Sequence, residues 1–184
     1  PYVLPGPSDG WAGGSNAQLT IRFGAGRIES GTKARLKLSL LESHPNLPPT
    51  LEFIINGQSQ RIHSPKGKYL NYLDQHQPDT DYPSIEIAIP AGQLKKGSNV
   101  ITIRNTSGSW IAIDAITLYT SQPVALEKVT SNDVSVLRAQ CMSALVYGNK
   151  KDLLQPVTLT IANWARKSQK VNVHIEGKPA GNYL

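Results

Sequence analysis

Four aromatic residues stand in two stretches of the chain that follow no helix or strand pattern. They are Trp11, Tyr69, Tyr72 and Tyr82. Binding residues concentrate in such irregular stretches, and an aromatic ring can pack against the face of C–H bonds that a pyranose offers. A sugar also needs fixed donors and acceptors around its hydroxyl groups. The chemistry that these residues can do is therefore sugar binding, with the rings as stacking platforms.

Polar residues in or near the same stretches can supply the remaining contacts to a sugar. The candidates for hydroxyl groups are Asp9, Asn71, Asp74 and His76. The candidates for the carboxylate of a uronate are Arg61, Lys66 and Lys68, because cationic side chains form charge-assisted hydrogen bonds with carboxylates. The predicted ligand-binding set is Trp11, Tyr69, Tyr72, Asp74, His76 and Tyr82.

Residue groups typical of catalysis do not occur in the sequence. Asp74, Asp79 and Asp81 offer paired carboxylates of the kind used in glycoside hydrolysis, but three acids on one polar loop are more simply solvated or a cation site. No Gly-x-Ser-x-Gly segment provides a nucleophile on a strained turn. The histidines lack the His-Glu-x-x-His spacing of a zinc site. Intrinsic catalysis is therefore disfavoured.

The net charge of +6 does not indicate nucleic-acid binding, because the basic residues are dispersed. Residues 1–121 carry 11 Lys and Arg against 9 Asp and Glu, and residues 122–184 carry 8 against 4. Neither part shows a basic run interleaved with aromatic residues. The single cysteine, Cys141, excludes an internal disulfide. No apolar run approaches the roughly 20 residues that span a bilayer, so no membrane partner is expected.

The elements that position these residues are strands, because apolar residues alternate with polar ones along most of the chain. The predicted strands are Gln18–Phe23, Ala34–Leu41, Leu51–Ile55, Gln58–His63 and Ile85–Ile89. The dipeptide Asn56-Gly57 predicts a type I′ hairpin turn, in which both central residues have positive φ. Such turn-separated strands predict an all-β fold, an antiparallel jelly-roll β-sandwich.

The stretch from Gly97 to Thr120 contains two long alternating runs joined by a turn at 106–109, and their pairing is expected to close the sandwich. The connection from Ser64 to Ser84 is far longer than a typical loop of about 4–6 residues. Loops of this length are usually functional or disordered, and the three tyrosines favour an ordered one. The alternative is that the tyrosines merely cover the sheet.

The residues after Ser121 predict a second domain, because Ser-Gln-Pro ends the first pattern and alternation then restarts. The expected domains are residues 1–121, and residues 122–184 as part of a second, Ig-like β-sandwich. The alternating runs 157–161 and 171–175 are expected to pair as a hairpin. The second part is short for a complete sandwich of about 100 residues, so we expect the chain to be a fragment of a larger protein.

Five segments together resemble a known family. They are Trp11-Ala12-Gly13-Gly14 before LTIRF, the leucine-rich second strand, LEFIING, GSNVITIRN and SGSWIAIDAITL. In that order they resemble the galactose-binding-like jelly-roll modules attached to polysaccharide lyases and glycoside hydrolases. The nearest resemblance is to the carbohydrate-binding-module-like domain of the rhamnogalacturonan lyases of polysaccharide lyase family 4, over about residues 1–120.

This resemblance implies a non-catalytic module that binds a polysaccharide or oligosaccharide beside the catalytic domain of a larger enzyme. It implies a secreted or periplasmic protein. The alternative is a structural spacer that packs against the catalytic domain, and a further alternative is that the module is part of the catalytic unit. Related modules often hold a structural Ca²⁺ near the final strand, where Asp114 stands among apolar residues and needs a partner. The competing interpretation is that backbone amides satisfy Asp114.

Overall fold

The computed structural model describes residues 2–68, 83–129, 134–141, 145–149, 153–165 and 167–174. The chain divides into two compact units, Pro1–Val129 and Thr130–Leu184. The sequence places the boundary after Ser121, whereas the first compact unit continues to Val129. No helix within the described ranges is long and apolar enough to cross a membrane.

Among its described residues, the first unit contains nine antiparallel strands in two sheets. The strands are β1 (Tyr2–Leu4), β2 (Gln18–Ala25), β3 (Ala34–Ser43), β4 (Thr50–Ile55), β5 (Gln58–His63), β6 (Ser84–Ile89), β7 (Gly97–Ser107), β8 (Ile111–Thr120) and β9 (Leu126–Glu127). One sheet has the order β1-β8-β3-β6, and the other has the order β5-β4-β7-β2-β9. The predicted all-β, antiparallel sandwich is confirmed.

Alternation along the strands places one face of each sheet in a shared core. In β3, Leu36 and Leu38 are buried while Arg35 is exposed, as the pattern predicts. From the other sheet, Phe53 and Ile103 are 0% exposed and belong to the same apolar cluster. Full burial of such side chains contributes about 1.5–3 kcal/mol each to stability, so these residues hold the two layers together.

The predicted turn at Asn56-Gly57 is confirmed. Asn56 has φ of 47° and Gly57 has φ of 90°, and β4 and β5 pair directly from Ile55 and Gln58 outward. The side chain of Asn56 also binds the neighbouring strand, because its Oδ1 accepts a hydrogen bond of 2.9 Å from the backbone N–H of Val100. The turn between β4 and β5 is thus also hydrogen-bonded to β7, the central strand of this sheet.

The expected pairing between β7 and β8 is wrong, because these strands lie in different sheets. β7 lies between β4 and β2, and β8 lies between β1 and β3. The turn between them carries the chain from one layer to the other. Gly108 permits this crossing, since its φ is 80° and a Cβ atom there would lie 2.6 Å from the carbonyl oxygen of Pro48. A turn signal in a sequence does not distinguish a hairpin from such a crossing.

Two features of the first unit have no clear sequence signal. The register between β3 and β8 shifts twice, with Asp114 as the extra residue of β8 and Leu41 as the extra residue of β3. The short strand β9 pairs with the end of β2. Gly24 permits this close approach, because a Cβ atom there would lie 2.3 Å from the carbonyl oxygen of Glu127. The pairing of β9 extends the first unit beyond residue 121.

The second unit contains four short strands among its described residues. They are β10 (Val134–Cys141), β11 (Val146–Tyr147), β12 (Leu153–Leu154) and β13 (Val157–Asn163). β10 pairs with β13, and β11 pairs with β12, both antiparallel. The expected hairpin between 157–161 and 171–175 is wrong, because β13 pairs with β10 and residues 171–174 lie in no strand. Alternation indicates a strand but does not select its partner. The Ig-like character of this unit stays a prediction.

Candidate functional site

Four loop segments meet at the end of the first unit where β3, β5 and β7 finish and β4 and β8 begin. They are residues 5–14, 44–49, 64–68 and 107–110, which we call the Trp11 end. The backbone N–H of Ser8 donates to the carbonyl of Gly108 at 3.0 Å, and the N–H of Ser109 donates to the carbonyl of Leu47 at 2.9 Å. Backbone hydrogen bonds therefore join segments that are far apart in sequence.

Asp9 fixes the N-terminal segment on this surface. Its side chain is buried, at 4% exposure. Its Oδ2 accepts a hydrogen bond of 2.7 Å from the N–H of Gly6, and its Oδ1 accepts one from the hydroxyl of Ser109. The sequence suggested Asp9 as a contact for a sugar hydroxyl. In the structure the carboxylate is buried and both of its oxygens accept hydrogen bonds from the protein, so its observed role is to hold the N-terminal segment in place.

Trp11 stands on a short 3-10 turn, Gly10–Ala12, that directly follows Asp9. The backbone carbonyl of Asp9 accepts hydrogen bonds of 3.0 Å from the N–H groups of Ala12 and Gly14, which closes the turn. The side chain of Trp11 is nevertheless 70% exposed. A large apolar ring is thus held in water on a hydrogen-bonded turn, as a stacking platform requires.

The long connection after β5 starts at the Trp11 end. The N–H of Ser64 donates to the carbonyl of Pro49 at 2.9 Å, and the N–H of Lys68 donates to Oε1 of Glu42 at 3.0 Å. The chain returns at Pro83, whose carbonyl accepts a hydrogen bond of 2.9 Å from the N–H of Leu40. Both ends of the connection therefore lie against the last part of β3.

Five members of the predicted ligand-binding set lie between these two anchors and outside the described residues. They are Tyr69, Tyr72, Asp74, His76 and Tyr82. Their roles stay predictions. Trp11 is the member that the structure places, and it lies at the end of the sandwich where the connection begins and returns.

Two further residues contribute an aromatic surface at the same end. Trp110 is half-buried, and its ring meets the ring of His44 edge to face with centroids 6.0 Å apart. The Nδ1 atom of His44 also accepts hydrogen bonds from the N–H groups of Asn46 and Leu47, which shape the loop between β3 and β4. Trp110 thus lies at the boundary between core and surface.

Asp114 faces solvent, because the bulge in β8 breaks the alternation of inward and outward side chains. Within the described residues, no group of three or more His, Cys, Asp or Glu side chains could hold a metal ion. The premise that Asp114 needs a buried partner is therefore wrong, because its side chain is exposed.

Calcium binding at Asp114 stays a prediction with a direct test. An ion that binds only the folded protein raises its stability by mass action, so a chelator should lower the unfolding midpoint if the prediction is right. Thermal unfolding with and without a chelator at micromolar protein measures this shift, and an unchanged midpoint would count against bound calcium.

A cavity of about 570 Å³ opens at the opposite end of the first unit. The loops between β2 and β3 and between β6 and β7 line it. It contains Arg27, Lys95 and Lys96, with Glu29 paired to Arg27 at 3.0 Å. Neither Trp11 nor Asp114 lines this cavity, so the cavity is separate from both predicted sites.

Comparison with known proteins identifies one family. The model of the family described as CBM-like, polysaccharide lyase family 4, domain III, matches residues 8–118. A solved structure described as a family 35 carbohydrate binding module from an environmental isolate is similar at 16% identity with a TM-score of 0.39. That similarity covers 56% of this chain and 66% of the module. No curated protein matches the chain.

Proposed function

Because this chain belongs, through residues 8–118, to the CBM-like family of polysaccharide lyase family 4, domain III, we propose that its first unit is a carbohydrate-binding module. It binds a polysaccharide or oligosaccharide at the Trp11 end. It works beside the catalytic domain of a larger enzyme, a polysaccharide lyase or glycoside hydrolase, in a secreted or periplasmic protein.

The observation that carries this proposal is the exposed ring of Trp11. Burying an indole ring stabilises a folded protein, so exposure at 70% on an ordered turn leaves a large binding energy available for a ligand. The C–H face of a pyranose suits such a ring. The connection that contains the predicted partners Tyr72 and Asp74 begins and ends at the same end of the sandwich as Trp11.

The module is proposed to be non-catalytic. The described carboxylates at the Trp11 end are Asp9 and Glu42, and both are buried. Glu42 accepts hydrogen bonds of 3.0 Å from the backbone N–H groups of Ser43 and Lys68 through one oxygen. A buried carboxylate that binds backbone N–H groups stabilises the loops around it. It is not placed to transfer the proton that glycan cleavage requires.

Replacing Trp11 with alanine should weaken glycan binding by about 1 kcal/mol or more, which is about a fivefold loss of affinity. The 3-10 turn buries none of its own residues, so the unfolding midpoint should not change. Calorimetric titration with plant and microbial oligosaccharides measures the effect, and Tyr72→Ala is expected to weaken binding similarly. Tyr147→Ala provides a matched control, because Tyr147 is 78% exposed but belongs to the second unit.

The alternative is a spacer that packs against a catalytic domain, and the same ring could serve such a contact. The two functions differ in one measurement. If the parent protein binds no plant or microbial glycan at millimolar concentration, the binding proposal fails and the Trp11 end becomes a contact surface for a neighbouring domain.

A further inference from the structure

The outer face of the five-stranded sheet carries a row of charged and polar side chains that the proposed site does not use. Arg61 of β5 lies directly opposite Glu52 of β4, Glu52 lies opposite Arg104 of β7, and Arg104 lies opposite Gln18 of β2. We call these four residues the arginine row. Neighbouring strands are about 4.8 Å apart, so the row crosses four strands in a straight line.

A buried carboxylate organises the arginine row. The side chain of Glu52 is 11% exposed, whereas those of Arg61 and Arg104 are 66% and 38% exposed. Oε1 of Glu52 accepts hydrogen bonds from Nε and Nη2 of Arg61 at 3.3 and 3.2 Å. Oε2 accepts one from Nη1 of Arg104 at 3.4 Å. Each oxygen therefore holds one guanidinium group in place.

Arg61 retains unused binding capacity after these contacts, whereas Nε and Nη2 of Arg104 also donate to Oε1 of Gln18, both at 3.4 Å. A guanidinium group has five N–H donors, and the bonds to Glu52 use two of those of Arg61. The other three make no hydrogen bond within the part of the chain that the structure describes. Two cations against one carboxylate leave the row with a charge of +1, and the guanidinium groups are oriented before any ligand arrives.

The adjacent row on the same face carries no charge and consists of Ser59, Ile54, Thr102 and Thr20. Thr20 and Thr102 lie opposite each other on β2 and β7, and their hydroxyl oxygens are 3.3 Å apart. These hydroxyl groups stand one row away from Arg104 and Gln18. The face thus places two fixed guanidinium groups beside hydroxyl and amide groups, which matches a sugar ring that bears a carboxylate.

A similar group of charges on the other sheet lacks this organisation. Arg35 and Lys37 of β3 both approach Glu86 of β6, at 2.9 and 4.0 Å. The side chain of Glu86 is 42% exposed, and the guanidinium group of Arg35 lies 4.7 Å above the ring of Tyr119. This group has the same composition of charges, but its carboxylate is solvated and its arginine already covers an aromatic ring.

We propose that the arginine row binds the carboxylate groups of a uronate-containing polysaccharide, as a second contact surface separate from the Trp11 end. The inference rests on the proposed carbohydrate-binding function and specifies an acidic ligand for it. Guanidinium groups recognise carboxylates through two parallel N–H···O bonds, which ammonium groups cannot form. The two N–H groups of Nη1 and the second N–H of Nη2 of Arg61 remain for such a pair, while Glu52 and Gln18 hold the positive charge of Arg104 beside it.

The test compares two double variants of the full chain in calorimetric titrations with an oligogalacturonide and with a neutral galactan oligosaccharide. The variant Arg61→Gln/Arg104→Gln should bind the oligogalacturonide at least tenfold more weakly and the neutral oligosaccharide as the parent does. The variant Arg35→Gln/Lys37→Gln removes the same charge from the other sheet and should bind both ligands as the parent does. Salt at about 1 M, where the screening length is about 3 Å, should remove most of the parent's preference for the acidic ligand.

Removing both arginines leaves Glu52 buried without a partner, which could by itself destabilise the fold. A further variant therefore distinguishes loss of the binding groups from misfolding. Arg61→Lys/Arg104→Lys keeps the charges and the pairing with Glu52 but removes the planar forks. It should keep the parent's unfolding midpoint and still lose severalfold in affinity for the oligogalacturonide.

The outcomes separate this proposal from the broader one. Equal losses in the two glutamine variants, unchanged affinity in the lysine variant, or a parent that binds the neutral and acidic ligands equally would overturn the arginine row as a uronate site. In each of those cases, neutral glycan binding that depends on Trp11 would still support the carbohydrate-binding function. If the parent binds no glycan of either kind, both proposals fail.

Discussion

Asn99→Ala should destabilise the first unit by about 3 kcal/mol or more, the largest effect that we expect from a single polar residue. Asn99 is 0% exposed at the start of β7. Its Oδ1 accepts hydrogen bonds from Nδ2 of Asn56 at 2.8 Å and from the N–H of Lys95 at 3.0 Å. Its Nδ2 donates to the carbonyls of Lys95 and Gly97 at 2.7 and 3.0 Å.

The magnitude follows from what alanine leaves behind. A buried donor or acceptor that loses its partner costs about 1–3 kcal/mol. Alanine removes one partner from each of four groups, whose bonds to Asn99 are part-buried, and opens a void where the buried side chain stood. Water entering the void would offset part of this cost, so the sum is an upper bound. The four bonds also connect the Asn56-Gly57 turn to the loop before β7, so their loss weakens two connections together.

Urea unfolding measures this change as a lower midpoint with an unchanged slope. Asn99→Asp is expected to destabilise at least as much, because a carboxylate would face the carbonyl oxygens of Lys95 and Gly97 in place of an N–H donor. Asn46→Ala is the matched control, since Asn46 is exposed in a loop. A loss below about 1 kcal/mol in Asn99→Ala would contradict the assignment of this network as a main polar contribution to stability.

Asp9→Ala should reduce stability by about 2 kcal/mol, and it should reduce glycan affinity by no more than Trp11→Ala does. The stability loss comes from the two buried hydrogen bonds to Gly6 and Ser109. The affinity loss has a different cause, because the side chain of Asp9 is buried, at 4% exposure, and holds the turn that carries Trp11. Without Asp9, the turn that carries Trp11 is no longer held on the loop between β7 and β8, and binding must then supply the cost of ordering it.

A double-mutant cycle separates positioning from direct contact. If Asp9 acts through Trp11, then Asp9→Ala/Trp11→Ala binds glycan no more weakly than Trp11→Ala alone. Asp114→Ala controls for charge, because it removes an exposed carboxylate of the same type from β8. Additive losses in affinity would show that Asp9 contacts the ligand directly and would contradict the positioning role.

Much of the fold could be predicted from local pattern. Strand β3 and the Asn56-Gly57 turn could be predicted, because the alternate burial of side chains in β3 and the backbone angles of the turn depend on residues that are neighbours in the sequence. The partners of β7, β8 and β13 could not be predicted in this way. A strand pairs with whatever the rest of the chain places beside it, and alternation carries no information on that choice.

The same distinction applies to the candidate site. Trp11 could be predicted, because an aromatic residue among glycines and prolines has no core to enter. The role of Asp9 could not, since its partner Ser109 is 100 residues away. The arginine row could not be predicted from the sequence either, because Arg61, Glu52 and Arg104 become neighbours only once β4 has paired with both β5 and β7.

The short strand β9 has a consequence for how the module behaves when it is separated from the rest of the chain. β9 covers the backbone of β2 at Gly24 and Ala25, which are both buried. A chain cut after Ser121 keeps β1 to β8 of the first unit but leaves the edge of β2 at Gly24 and Ala25 open. Open sheet edges can pair with strands from other molecules. The few residues that follow β8 thus reduce the tendency of this edge to aggregate. A fragment that retains Val129 should stay monomeric at concentrations where the shorter fragment self-associates.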